Sequence, residues 1–156
     1  MQVGHGYDIH KLVPNRKLII GGEEIPYSKG LSGHTDGDVL CHAIIDALLG
    51  ACGMGDIGEH FPDTEPKWKD ANSLNLLEAV YIAIKNKGHK IINIDCTVVA
   101  QEPKLASHIP KMRKKIFQIL DLKDTVQINI KAKTNEGQDS VGNKDAICAW
   151  AVALVL

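Results

Sequence analysis

Aromatic side chains are scarce in this chain, 4% of 156 residues, too few for the stacking platforms on which proteins hold nucleic acid. Charge of one sign is lacking as well: the formal net charge is −1, so no global basic field concentrates the protein on a polyanion. Nucleic acid is therefore excluded as an expected partner. The four cysteines, Cys41, Cys52, Cys96 and Cys148, form no C-x-x-C pair, and three lie in apolar runs where a buried thiol is the simplest reading. They suit a reducing compartment. The longest apolar run, residues 146–156, is too short to span a bilayer, and the N-terminus runs into strand-like sequence with no basic-then-apolar leader. The expectation is a cytoplasmic protein, with a mature plastid-type chain left open.

What is present is ordinary globular composition, 44% hydrophobic and 24% charged. It predicts a single domain over residues 1–156 with a sizeable core. There is no internal repeat, low-complexity segment or dividing linker. Strands are expected at 2–8, at 17–21 with a return through 24–26, and at 91–101, 126–133 and 146–156. Helices are expected at 36–52, 73–87 and 109–120, the last opening with Ser107 and carrying Pro110 in its first turn. In 126–133, Val126, Ile128, Ile130 and Ala132 alternate with Gln127, Asn129, Lys131 and Lys133, so one face is apolar. The basic residues of the third helix, Lys111, Arg113, Lys114 and Lys115, read as a solvated face. This order of elements predicts an α/β (α+β) chain, a two-layer sandwich of a mixed β-sheet with helices on one face. Because the last strand is apolar on successive residues, its second face should also be covered, as it would be where sheets face one another in a homo-oligomer.

Three residues carry the chemistry. Asp8 and His10 are two apart in a predicted strand and so share a face, while Ile9 points the other way. His42 lies in the first predicted helix, after the polar, turn-rich Ser32-Gly-His-Thr-Asp-Gly-Asp38. One oxygen and two nitrogen donors suit Zn²⁺, with Mn²⁺ or Co²⁺ as substitutes. Three protein ligands leave a position open, the catalytic pattern.

Other segments gain meaning from that triad. Thr35 and Asp38 have the spacing of a capping box, and a helix N-terminus beside a metal is a natural phosphate site, with His34 at its rim. Asp46, four residues after His42, is either a partner for that imidazole or a polar residue satisfied elsewhere. The loops Gly55-Asp-Ile-Gly58, Phe61-Pro-Asp-Thr-Glu-Pro66 and Ala100-Gln-Glu-Pro-Lys-Leu-Ala106 are rich in turn residues. Thr134-Asn-Glu136 follows a polar-faced strand where a carboxylate suits Mg²⁺.

Together, Gly4-His-Gly-Tyr-Asp-Ile-His10, Gly33-His-Thr-Asp-Gly-Asp38, Gly55-Asp-Ile-Gly58, Phe61-Pro-Asp-Thr64 and Ala100-Gln-Glu-Pro-Lys104 closely resemble the 2-C-methyl-D-erythritol 2,4-cyclodiphosphate synthase family, over nearly the whole chain and in order. The resemblance implies a homotrimer with active sites between neighbouring subunits and a step of non-mevalonate isoprenoid precursor synthesis. The implied reaction closes 4-diphosphocytidyl-2-C-methyl-D-erythritol 2-phosphate into the cyclic diphosphate and releases CMP. It also implies Zn²⁺ at Asp8, His10 and His42, and Mg²⁺ or Mn²⁺ at Glu136 with the substrate diphosphate. His34 and Thr134 take the catalytic positions, with Thr35 beside the attacking phosphate. Substrate contacts are implied for Asp8, Ile9 and His10, for Asp56, Ile57 and Gly58 at the ribose, and for Phe61, Pro62, Asp63, Thr64 and Glu65 at the erythritol. The turn of Ala100, Gln101, Glu102, Pro103, Lys104, Leu105 and Ala106 would read cytosine, and Lys133, Thr134, Asn135 and Glu136 would meet the nucleotide phosphates.

This chain departs from many members at Lys133, where they carry Thr. It also has Asp139-Ser140 and Asn143-Lys144 where they carry Gly-Phe and an Arg that line a central trimer cavity. Two other readings compete: a zinc hydrolase of phosphoesters using the same triad, and a non-catalytic trimeric module whose metal is structural and closed by a fourth ligand. Cys41 is the neighbour to suspect for that ligand, but adjacent residues diverge by about 100° on a helix.

Overall fold

The computed structural model describes residues 1–156. Its elements in chain order are β1 (Gln2–Pro14), β2 (Leu18–Ile20), β3 (Glu23–Ile25), β4 (Lys29–Leu31), α1 (Val39–Ala51), α2 (Ile57–His60), α3 (Ser73–Asn86), β5 (Ile91–Val99), α4 (Ile109–Ile119), β6 (Ile128–Lys133), α5 (Asp139–Gly142) and β7 (Ala146–Val155). Five strands form one mixed sheet in the order β4-β1-β7-β5-β6, parallel between β5 and β6 and antiparallel elsewhere, and β2 and β3 pair as a separate hairpin. Alternation sends Ile94, Cys96, Val98, Ala149, Ala151 and Ala153 to the helix-covered face. There they join Met112 and Ile116 of α4 and Leu77 and Ile84 of α3 in one core of 36 buried residues.

Small residues decide how closely α1 approaches this sheet. Gly4 and Gly6 of β1 face the helix, and a Cβ built on either would lie 1.9 Å from a backbone oxygen, of Ala47 and Ala43 respectively. No real side chain fits there. Nearly all of α1 is buried, with Asp46 and Gly50 the exceptions, as expected for a helix apolar on every side and covered by further elements.

Several expectations need correcting in detail. β1 runs on to Pro14 rather than ending at Asp8, because β7 stays paired with it as far as Lys11 and β4, which has too few apolar residues to be legible, then pairs with Leu12, Val13 and Pro14. Val126 is 74% exposed and sits in the 3-10 turn Thr125–Gln127, so its strand begins at Ile128. The capping box of Asp124 and Gln127 stops the ladder there. Helix α1 is capped by Asp38 alone, which accepts from the Cys41 N–H, while Thr35 turns away into the site. His108 rather than Ser107 occupies the cap of α4. Two of that helix's basic residues are not simply solvated: Lys111 and Lys115 pair with the buried Glu23, at 3.4 and 2.9 Å, and tie the hairpin to the helix.

The other face of the sheet bears Val3, Tyr7, Ile9, Trp150 and Val152, each 38–66% exposed, with the Tyr7 and Trp150 ring centroids 5.0 Å apart. No helix is long and apolar enough to cross a membrane.

Replacing Gly6 by Val should destabilise the protein by at least about 3 kcal/mol, because the intruding atoms meet backbone that cannot rotate away. Gly50→Ala is the control: nothing lies within 4 Å of its added Cβ, and better helix propensity should stabilise by roughly 0.5–1 kcal/mol. Urea denaturation of both variants checks the contrast.

Candidate metal centre and its cavity

The Gly4 and Gly6 contacts set α1 across β1 so that His42, next to Ala43, stands over the end of the same β1 face. That face continues from Gly4 and Gly6 to Asp8 and His10. Asp8 Oδ2 lies 2.9 Å from His10 Nε2 and 3.0 Å from His42 Nδ1, and the two ring nitrogens are 3.1 Å apart. Four ligands around zinc at ordinary bond lengths stand about 3.3 Å from one another. A spread of a few tenths of an ångström would therefore admit an ion, and the oxygen, nitrogen and nitrogen donors are positioned to hold one. Gly33 makes room beside the group, since a Cβ there would come within 3.3 Å of the His10 ring. Cys41, adjacent in sequence, is wholly buried and is not part of the group.

Electrostatics tie the three together. Burial would raise the Asp8 carboxyl, but hydrogen bonds and charge from His10 and His42 outweigh it and bring Asp8 down to about 2. Burial would lower His42, yet the hydrogen bond and charge of Asp8, with Asp38 and Asp36 behind it, hold its pKa above the usual imidazole value. Without metal, the Asp8 contribution to stability is present above the ordinary carboxylate range and is lost as pH falls toward about 2. The His42 contribution is complete below the ordinary imidazole range and is lost as pH rises through its raised value.

On its far side the His42 ring meets Ser73 and Thr35, with Nε2 2.9 Å from Ser73 Oγ and 3.1 Å from Thr35 Oγ1. The sequence singles out neither Ser73 nor its neighbour Asp36 as a partner of His42, although Asp36 stands in the Gly33–Asp38 motif. Ser73 looked like an ordinary helix start, and nothing in a linear reading reports a contact 31 residues away. Asp46, left open between two roles, is satisfied elsewhere: it accepts from the Ile57 N–H at 2.8 Å and so pins the start of α2.

A cavity of about 420 Å³ opens on the triad. His34, Thr35, Asp46, Ile57, Gly58, Phe61, Pro62, Asp63 and Thr64 line it, all but Asp46 among the contacts that the resemblance implies, and Leu76 joins them unforeseen. Three expected contacts fall outside that lining. Ile9 points to the opposite sheet face, 41% exposed. Asp56 caps α2 by accepting from Glu59, and the Glu65 side chain pairs with Lys67 while its carbonyl lies 3.4 Å from His34 Nε2.

The remaining candidates cluster elsewhere. Ala100, Pro103, Lys104, Leu105, Ala106, Lys133 and Thr134 line a separate cavity of about 170 Å³ that shares no residue with the first. Beside it Thr134 Oγ1 donates to Glu136 Oε1 at 2.7 Å, and Glu136 takes a left-handed φ of 50° in the turn to Gly137. Asn135 donates to the Gln138 carbonyl, and Gln101 accepts from the Gly137 N–H. Lys144, one of the departures, pairs with Glu102 at 2.7 Å and braces the turn. Within one chain, the triad and the Thr134–Glu136 pair belong to different cavities.

The model of the YgbB family matches residues 1–156. The 2-C-methyl-D-erythritol 2,4-cyclodiphosphate synthase of Alkaliphilus oremlandii is 56% identical over 100% of this chain and 99% of its own. Among solved structures, the bifunctional IspDF of Campylobacter jejuni superposes with a TM-score of 0.94 at 42% identity, over 99% of this chain and 42% of that one. The IspF of Plasmodium falciparum in complex with CDP gives 0.87 at 35% identity, over 99% and 95%.

One metal ion should bind per chain, and His42→Ala should abolish it while Cys41→Ser leaves metal content unchanged. Because an entering ion displaces a proton from His42, apparent affinity should fall by about tenfold per pH unit below that group's raised pKa and level off above it. Chelator competition across a pH series measures this.

Proposed function

From the premise that the chain belongs to the YgbB family and is an enzyme of the 2-C-methyl-D-erythritol 2,4-cyclodiphosphate synthase kind, we propose that it closes 4-diphosphocytidyl-2-C-methyl-D-erythritol 2-phosphate on itself. An oxygen of the 2-phosphate attacks the β-phosphorus, the bond from that phosphorus to the oxygen bridging to the α-phosphate breaks, and CMP leaves with that oxygen. The observation that carries the reading is an oxygen, nitrogen and nitrogen donor set opening on a cavity that also receives His34 and Thr35.

Such a step needs no protein nucleophile, and orientation with charge neutralisation supplies the rate. Asp8, His10 and His42 would hold Zn²⁺, or Mn²⁺ or Co²⁺ in its place, and Glu136 would hold Mg²⁺ or Mn²⁺ on the diphosphate; together these cations supply Lewis-acid polarisation and neutralise developing charge. His34 holds the 2-phosphate from the cavity rim beside Thr35. Phe61, Pro62, Asp63, Thr64 and Glu65 enclose the erythritol, and Ile57 and Gly58, with Asp56 at their cap, receive the ribose. The Ala100–Ala106 turn reads cytosine through its backbone, with Lys133, Thr134 and Asn135 at the nucleotide phosphates.

The functional unit in this reading is a cytoplasmic homotrimer of single-domain chains, each spanning residues 1–156, with active sites between subunits. Two observations support it: the exposed apolar sheet face around Tyr7 and Trp150, and the separation of the triad's cavity from that of Thr134. A neighbouring subunit would supply the second half.

Phosphorus NMR with the linear substrate, Zn²⁺ and Mg²⁺ should show cyclic diphosphate and equimolar CMP from the wild type and none from His42→Ala. Linear phosphate products would instead identify a zinc hydrolase. Chains carrying His42→Ala and chains carrying Glu136→Ala should each be inactive alone yet regain activity when mixed and reassembled. If the mixture stays inert, the inter-subunit site is wrong.

A further inference from the structure

The His42 ring is held at both nitrogens, Nδ1 by Asp8 and Nε2 by the hydroxyls of Ser73 and Thr35. The Ser73 hydroxyl has one proton. The Asp36 carboxylate, which can only accept, takes that proton at Oδ1 and takes the Ser73 backbone N–H at Oδ2, 3.0 Å away. Toward His42 Nε2, 2.9 Å off, Ser73 Oγ therefore presents lone pairs and must accept. Thr35 Oγ1 lies 3.1 Å from the same nitrogen and itself receives the Gly37 N–H at 3.3 Å. A proton on Nε2 thus satisfies Ser73, while Asp8 Oδ2, which can only accept, takes a proton from Nδ1, 3.0 Å away, until an ion replaces that proton.

We propose that Asp36 and Ser73 act as a positioning relay for His42, fixing its proton on Nε2 so that Nδ1 is the ligand atom. The inference rests on the metal reading of the triad. Neither residue touches substrate, and both work through the imidazole.

The backbone is arranged to deliver this contact. Asp36 N–H donates to the Ala71 carbonyl at 3.0 Å and Asp70 N–H donates to the His34 carbonyl at 2.8 Å. The segment leading into α1 and the segment leading into α3 are thus laid side by side. Ser73, first residue of α3, is wholly buried. Its hydrogen bonds are shielded from water, which strengthens them and makes an unsatisfied partner costly. Outer partners of a metal-bound imidazole typically alter metal affinity by about 10–100-fold when removed.

The relay is tested on histidine labelled with ¹⁵N, by long-range proton–nitrogen correlation of the wild type, metal-free at pH 9 and with one equivalent of Zn²⁺. Nε2 of His42 should carry a proton in both; an Nε2 without a proton in the metal-free protein, or zinc bound through Nε2, overturns the proposal. Zinc affinity by competition with a chromophoric chelator should fall about 10–100-fold in Ser73→Ala and recover in Ser73→Thr, which restores the hydroxyl. Unchanged affinity in Ser73→Ala overturns the relay, and if Ser73→Thr does not fold the wild-type spectra still decide. A wild type that binds no zinc but shows the Nε2 proton would refute the metal reading while upholding the tautomer assignment.

Discussion

The contact of α1 with β1 is the constraint on which the rest depends. A helix can lie this close to a strand only where neither backbone carries a side chain in between. Gly4 and Gly6 provide that on the strand, and Ala43 and Ala47 on the helix leave their backbone oxygens exposed to it. The metal donors follow from the same seam. Asp8 and His10 extend the glycine face by two further periods of the strand, and His42 precedes Ala43 on the helix. A sub-ångström shift in the seam would move His42 relative to Asp8, and ligand geometry tolerates little of that. Packing and chemistry share one interface.

Much of this was legible because it is local. Period-two alternation placed Asp8 and His10 together, and an apolar helical run after a polar turn placed His42 on α1. Long elements such as α1, α3 and β7 were recognisable from their periodicity alone. Short ones were not: β4 is three residues and α2 and α5 are four each, held by pairing and caps that a pattern of hydrophobicity does not record. The Asp36 and Ser73 partnership was invisible for a different reason, since its meaning arises only when the segments before α1 and α3 are brought alongside. Thr35 and Asp38 looked like a capping box, and only the fold reveals that one caps while the other faces the metal ligand.

The grouping of Ala100–Ala106 with Thr134 and Glu136 also came from the resemblance, and the structure gathers most of it around a single small cavity. What sequence could not convey is that this cavity and that of the triad stand apart in one chain. The apolar sheet face offers a reason to associate, because contiguous exposed aromatic and branched side chains are costly in water. Association and completion of the site are then the same event in the proposed trimer.

The density of acids at the start of α1 resolves into separate tasks. Asp38 is wholly buried, yet it accepts from the N–H groups of Gly21, Gly22 and Cys41 and so fastens the β2-β3 turn to the helix cap. Burial, with Asp36 nearby, pushes its pKa up despite those donors. Asp36 holds Ser73, and Asp46 holds the start of α2. Asp8, Asp38 and Asp36 all favour positive charge at His42, against the burial that opposes it. The same field would favour a divalent cation, which carries twice the charge and could bond Asp8 and both rings at once. The acids that secure the entrance to α1 therefore also prepare the site to receive metal.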